Sequence, residues 1–239
     1  GEFAGSVYPY NRGALVLHML RKHVGEEAWW RAIKRYVANN AGHPVTTDDF
    51  RSVVEQEGGE PLGWFFDQWI YKTGHPVFEV ASRYDEALKQ LVLEVRQVQA
   101  LDPKAIHPQA EFFQGKLDVA FDGSVETVWL EARVLNRFVF PRSTAPKIIG
   151  FDRENTWIKE LTFPKSLDDL MAQAQGDTDV TGRRWALAEM VKVATAEKTS
   201  AIDKARIQAA FLGAIEGDSF WRLRYNALLQ LTTILTGKA

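Results

Sequence analysis

The hydrophobic period of this chain changes twice, and nothing else in the sequence narrows its fold as far. Up to Gly74 the apolar residues recur at steps of three and four; from Val77 to about Thr162 they alternate; beyond that the longer step returns. Side chains repeat every 3.6 residues on a helix and every two on a strand, so the two patterns cannot share one element. The sequence therefore predicts an α+β multidomain chain in three parts. Helices fill 1–75, a β-sandwich fills 76–163, and a helical repeat begins over 164–239.

In the first part, Ala14, Leu15, Val16, Leu17, Met19, Leu20 and Val24 make the segment 10–24 apolar nearly all round. That pattern predicts a helix buried on every side. Gly25 ends it, and Glu26 and Glu27 open a second helix with charges that suit its N-terminal dipole. Trp29, Trp30, Ile33, Tyr36 and Val37 carry that helix on, and Asn39, Asn40 and Gly42 end it. Thr46-Thr47-Asp48-Asp49 reads as a capping box before the stripe Phe50, Val53 and Val54. Pro61 opens a fourth helix through Leu62, Phe65, Phe66, Trp69 and Ile70, which Gly74 and Pro76 break.

In the second part, Leu91, Leu93 and Val95 oppose Val92, Glu94 and Arg96, and Leu117, Val119 and Phe121 alternate with Lys116, Asp118 and Ala120. Asp122-Gly123 is a turn dipeptide leading to Val128, Leu130 and Ala132. Phe138 with Phe140, and Ile148 with Ile149, give two more short runs. Six or seven short strands separated by turns argue for a sandwich.

The third part contains a repeat. Gly176-Asp177-Thr178 and Gly217-Asp218-Ser219 lie 41 residues apart. At the same offset Arg183 matches Arg224, Ala186 matches Ala227, Leu187 matches Leu228, and Met190 matches Leu231. A helical period of this length falls in the HEAT and armadillo range, where each helix pair buries its face on the next.

Composition closes several routes. With no cysteine among 239 residues, disulfide scaffolds, thiolate metal sites and thiol nucleophiles are out. A net charge of −2 gives no basic footprint for nucleic acid. The longest apolar run is four residues, against the ~18 or more of a membrane span. Gly1-Glu2-Phe3 has no initiator Met, and Glu-Phe is what an EcoRI site encodes. Residues 1–3 are thus expected to be a cloning scar, on a piece cut from something longer.

Few residues carry chemistry. His18 and His23 are five apart, off the i, i+4 spacing of helical metal ligands, and no H-E-x-x-H occurs. His43, His75 and His107 stand alone and read as structural or solvated. Asp48 and Asp49 read as first-turn helix acids, Glu55 and Glu57 as a solvated face. On spacing alone, Tyr10 is a buried aromatic at a helix start.

One segment goes further. Tyr8-Pro9-Tyr10-Asn11-Arg12-Gly13-Ala14, running into Leu17-His18-Met19-Leu20, resembles the Y-x-[K/R]-G-A-x-x-x-x-x-L signature of the aminopeptidase N family of zinc peptidases. Gly25-Glu26-Glu27-Ala28-Trp29-Trp30 resembles the family's G-E-x-x-F/W helix start, and Thr46-Thr47-Asp48-Asp49-Phe50 its T-x-D-F cap. Trp69 to Pro76 resembles its W-x-x-x-x-G-x-P exit into a β-domain. Pro146-Lys147, Phe151-Asp152, and Leu161-Phe163-Lys165 resemble the end of that domain. The likeness spans roughly residues 6–190.

The resemblance implies an enzyme that removes N-terminal residues from peptides with one zinc, held by two His of H-E-x-x-H and a more distant Glu. Those residues lie upstream of the family's tyrosine motif. Zinc is therefore expected in the intact protein, with no metal ligand here, and the isolated chain is expected to be inactive. Its implied partners are a peptide substrate and the upstream N-terminal and catalytic segments of the same protein. The position that carries over is Tyr10, which in the family donates a hydrogen bond to the oxyanion; Tyr8 and Arg12 match site-proximal positions. A non-catalytic interaction scaffold and an epoxide hydrolase are the other activities the architecture admits.

Overall fold

The computed structural model describes residues 7–236, with side chains from residue 10 onward. The expected cloning scar lies outside the described residues. Helix α1 (Val7–Val24) leads into α2 (Glu26–Asn40), α3 (Thr47–Gly58) and α4 (Gly63–Phe66). Thr46 caps α3: its Oγ1 accepts from the Asp49 amide at 3.3 Å, and the Asp49 carboxylate accepts from the Thr46 amide at 2.8 Å. Gly25 turns the chain between α1 and α2 at φ +86°, a value that disfavours any side chain.

Two expectations need correcting. The fourth helix starts at Gly63 rather than Pro61, and from Asp67 to Tyr71 it widens into a π turn. Within the wide turn the neighbours Gln68 and Trp69 are both buried. Gln68 is held by a pair of bonds with the Gln114 backbone, at 2.8 and 3.0 Å. The second correction is α1, which buries Val16, Met19, Leu20 and His23 while Leu15 and Leu17 stay over 40% exposed. Apolar periodicity tells which faces can be buried; among the described residues nothing covers the second one.

Seven strands follow: β1 (Val77–Asp85), β2 (Gln90–Gln97), β3 (Gly115–Phe121), β4 (Ser124–Leu130), β5 (Leu135–Pro141), β6 (Ile149–Phe151) and β7 (Glu160–Thr162). They form two sheets, ordered β5-β2-β1-β7 and β4-β3-β6. Pairing is antiparallel except between β1 and β7. The β3–β4 hairpin turns through Asp122 and Gly123 at φ +48° and +91°, the two left-handed residues that a twist-matched two-residue turn requires. The Asp122 carboxylate also accepts from the Lys147 and Ile148 amides. Leu91, Leu93 and Val95 are buried as the alternation predicts, but Val92 on the opposite face is buried too.

Helices α5 (Leu167–Gly176), α6 (Val180–Thr195), α7 (Ala201–Gly217) and α8 (Trp221–Thr236) complete the chain as two hairpins. The 41-residue correspondence is visible atom by atom. Arg183 donates to the Asp177 carbonyl at 2.9 Å, and Arg224 donates to the Asp218 carbonyl at 2.8 Å. The Asp177 and Asp218 carboxylates each accept from the amide two residues on. Ala186 and Ala227 are both fully buried, whereas Leu187 is buried and Leu228 is half exposed.

The side-chain core divides at a different place from the period. Residues of α1 to α4 and of both sheets, from Val16 to Phe163, form one continuous hydrophobic cluster. Residues of α5 to α8, from Leu170 to Leu231, form a second. Trp185 packs against both.

Candidate functional site

Tyr10 lies in the first part of α1, where the helical step sets its face. Ala14, Leu17 and Arg21 follow at i+4, i+7 and i+11 and share that face, opposite the buried Val16, Met19 and Leu20. Tyr10 is 77% exposed, so the expectation of a buried helix-start aromatic does not hold. Its phenol has no hydrogen-bond partner among the described residues. Arg12 is two positions on, which turns it to another side of the helix. There its Nη2 donates to the Gly74 carbonyl at 3.1 Å. Gly74 has φ +103°, a value glycine adopts without a Cβ clash, so Arg12 ties the start of α1 to the glycine exit from the π turn. The side chain of Tyr8 lies outside the described residues. The structure thus separates Tyr10 from Arg12: the phenol faces solvent, and the guanidinium is a tether.

The other end of α1 is held by His23, Lys116, Trp64 and Glu60, none of which belongs to a recognisable motif. Lys116 of β3 donates from Nζ to the His23 carbonyl at 2.8 Å, satisfying an oxygen that the helix end leaves free. The His23 ring packs edge-on against Trp64 and Trp129, at centroid distances of 5.1 and 6.0 Å. Its Nε2 lies 3.1 Å from a Glu60 carboxylate oxygen. Burial pushes the imidazole below its ordinary pKa, Lys116 pushes the same way, and Glu60 opposes them. A cavity of about 310 Å³ opens beside this cluster, with Lys22, Trp64, Trp157 and Asp118 among its walls. The signal was legible in principle: His23 falls on the same face as Val16, Met19 and Leu20.

A second polar centre joins the two cores. Asp152, Glu154 and Asn155 adopt left-handed conformations at φ +55°, +65° and +51°. Such backbone costs energy in non-glycine residues and persists only where its surroundings fix it. Here the buried Asp152 carboxylate accepts from the Thr156 amide and hydroxyl, the Trp157 amide and Lys159. The Asp179 carboxylate accepts from the Glu154 amide at 2.7 Å. Lys165 donates to the Ile149 carbonyl and the Gln173 side chain, and burial lowers its pKa to about 8. A cavity of about 260 Å³ lies among these residues. Its aspartates are satisfied by protein groups, so the arrangement is a clasp rather than a reaction centre.

Of the remaining acids and histidines, Glu55, Glu57, Asp48 and His75 have structural partners. Glu55 and Glu57 are not a solvated face: Glu55 accepts from the Leu62 amide at 2.8 Å, and Glu57 pairs with Arg31 and Arg35. Asp48 accepts from the Tyr71 hydroxyl, and His75 pairs with Glu160 at 2.8 Å. No three His, Asp or Glu side chains among the described residues converge as a metal would need. The described residues do not fit a zinc ion. No described helix is long and apolar enough to cross a membrane.

Residues 4–69 match the family described as "Peptidase family M1 domain". Aminopeptidase N of Haemophilus influenzae is 32% identical over 92 residues, 38% of this chain and 10% of that protein. Tricorn protease-interacting factor F2 of Thermoplasma volcanium is 32% identical over 71 residues, 30% of this chain and 9% of that protein. The chain therefore matches about a tenth of the length of these curated relatives. Among solved structures, Legionella pneumophila aminopeptidase A in complex with aspartic acid superposes with a TM-score of 0.74. That match covers 89% of this chain and 25% of the other at 18% identity, a likeness of fold.

Proposed function

From the match of residues 4–69 to the M1 peptidase family, we propose that the chain is part of a zinc-dependent aminopeptidase releasing N-terminal residues from peptides. In this reading 1–75 is the C-terminal helical part of the catalytic domain, 76–163 a β-sandwich, and 164–239 the start of a HEAT-like helical domain. The zinc ligands belong to the upstream segment, and the 239-residue chain alone is inactive. The same segment covers the open face of α1, where Ala14, Leu15 and Leu17 stand exposed.

Tyr10 is the catalytic residue of this reading. A phenol with a pKa of about 10 keeps its proton at neutral pH and can donate it in a hydrogen bond. When a peptide carbonyl becomes tetrahedral, negative charge gathers on its oxygen, and a donor already aimed there stabilises that charge more than the ground state. One observation carries the assignment: within the matched span, Tyr10 presents an unengaged hydroxyl to solvent.

The test is Tyr10→Phe in the intact protein, which keeps the ring and removes the donor. Turnover is expected to fall about 10²- to 10³-fold, with KM little changed. A near-normal rate removes Tyr10 from the mechanism. Stoichiometric zinc in the purified 239-residue chain would overturn the placing of the metal site upstream.

A further inference from the structure

The cavity of about 310 Å³ beside His23 lies where the helical part meets the sandwich, between the end of α1, α4 and the strands β3 and β4. No step of the proposed reaction uses it. Concave sites at such junctions, with apolar walls and a few polar groups, are where small molecules bind. Its apolar walls are rings. Trp64 of α4 is fixed edge-on against Trp129 at 5.2 Å between centroids. Trp157 is fixed by its indole N–H, which donates to the Lys116 carbonyl at 2.9 Å, and by an edge contact with Trp69 at 5.9 Å. Gly115 borders both rings: a Cβ there would stand 3.2 Å from Trp157 and 3.6 Å from Trp64. The residue that opens β3 is thus one that takes no space between them.

The polar wall carries both signs of charge. Lys116 and Asp118 are two apart on β3, so they share one face of the strand, and both line the cavity. Lys22 lines it from α1. Each ammonium has three N–H donors. Lys116 uses one on the His23 carbonyl and lies 3.9 Å from Glu60, and Lys22 pairs with Glu154, so donors remain on both. Asp118 accepts from the Thr127 hydroxyl across the β3–β4 pair, and a carboxylate has room for further donors. His23 adds a buried Nε2 that forms no hydrogen bond, the Glu60 oxygen at 3.1 Å lying out of line.

We propose that this cavity binds a free α-amino acid with an aromatic side chain. The ring lies between Trp64 and Trp157, the carboxylate is held by Lys22 and Lys116, and the ammonium is held by Asp118. A simple anion would face Asp118, and a simple cation would face two ammonium groups. A zwitterion finds a partner for each of its charges. This inference is independent of the peptidase reading.

The experiment titrates L-phenylalanine into the full 239-residue chain, with calorimetry for affinity and amide chemical shifts for place. One molecule is expected to bind and to shift the amides of residues 115–118. Three probes each lack one part: N-acetyl-L-phenylalanine the ammonium, phenethylamine the carboxylate, and glycine the ring. Each is expected to bind about tenfold more weakly or worse. Lys22→Met should weaken L-phenylalanine about tenfold and leave phenethylamine unchanged. Asp118→Asn should weaken L-phenylalanine by a similar factor and leave N-acetyl-L-phenylalanine unchanged. The probe series on the parent chain decides the matter even where a variant fails to fold. The proposal is overturned if L-phenylalanine shifts no amide of β3. It is also overturned if N-acetyl-L-phenylalanine or phenethylamine binds as tightly as L-phenylalanine, since the cavity then takes any aromatic body.

Discussion

The two cores of this protein are built from different materials. The first, shared by α1 to α4 and the sheets, is aromatic: Phe65, Phe66, Trp69, Phe78, Phe113, Phe121 and Trp157 all lie inside it. Trp69 meets Phe113 at 4.7 Å between centroids, and Phe78 meets Trp157 edge-on at 5.8 Å. The second, inside α5 to α8, is aliphatic, with Ala174, Ala186, Ala194, Ala210 and Ala227 at its helix contacts and Phe211 as its one fully buried aromatic ring. Helices laid on sheets leave irregular gaps, which large rings fill with edge-to-face contacts. Helices stacked on helices approach closely where small residues line the contact. The difference teaches that the period change at Gly74 marks a change of secondary structure and not an end of packing; the buried cores part between Phe163 and Leu170, with Trp185 packed against both.

The strongest way to break this comparison is Phe113→Ala. Phe113 is fully buried, and its loss should cost about 3–5 kcal/mol. Because α1 to α4 and the sheets share one core, helical and sheet signals of that unit should melt together at lower denaturant. If α1 to α4 keep their stability while the sheets lose theirs, the single core is wrong. Arg183→Met addresses the second core and should cost about 1–3 kcal/mol, because it leaves the nearly buried Asp218 carboxylate without its partner. Exchange protection should fall in α5 to α8 and hold in β1 to β5. A smaller loss of about 1 kcal/mol is expected for Thr46→Ala, which removes the cap of α3. Denaturation midpoints would register it in the first unit alone.

The smallest effect is a slope with pH. Burial and Lys116 hold His23 below the ordinary imidazole pKa of 6.5. As pH falls through and below that value, the unfolded chain takes up a proton that the folded chain resists, so stability is lost towards acid. His23→Gln should flatten this part of the stability profile in the first unit and leave the second unit's profile alone. An unchanged slope would show that His23 titrates as freely in the folded protein as in the unfolded one.

Much of this was legible in local sequence. The capping box at Thr46 and the Asp122-Gly123 turn are there because short-range chemistry dictates them. The 41-residue correspondence placed equivalent turns at Asp177 and Asp218. What escaped depends on long-range contacts. Periodicity shows that α1 is apolar on two sides but not which side is covered. Nothing near Gln68 announces a π turn, since its cause is the distant Gln114. Asp152, Glu154 and Asn155 carry no glycine signal for their left-handed backbone, which rests on Asp179, Lys159 and the Trp157 amide. At the candidate site, the motif around Tyr10 was readable by resemblance, while the exposure of its phenol and the tether from Arg12 to Gly74 required the fold.

The anchoring of α1 at its far end has a mechanical consequence. Lys116 grips the carbonyl of His23, and Tyr10 projects from the same rod about 20 Å away at 1.5 Å per residue. A rod pivoting at one end magnifies small rotations at the other. A tilt of about 3° at the His23 end would sweep Tyr10 through about 1 Å, over a lever of that length. The strut from Arg12 to Gly74 sits near the moving end, where a brace has the greatest leverage. A side chain on β3 thus bears on where a phenol several turns of helix away stands.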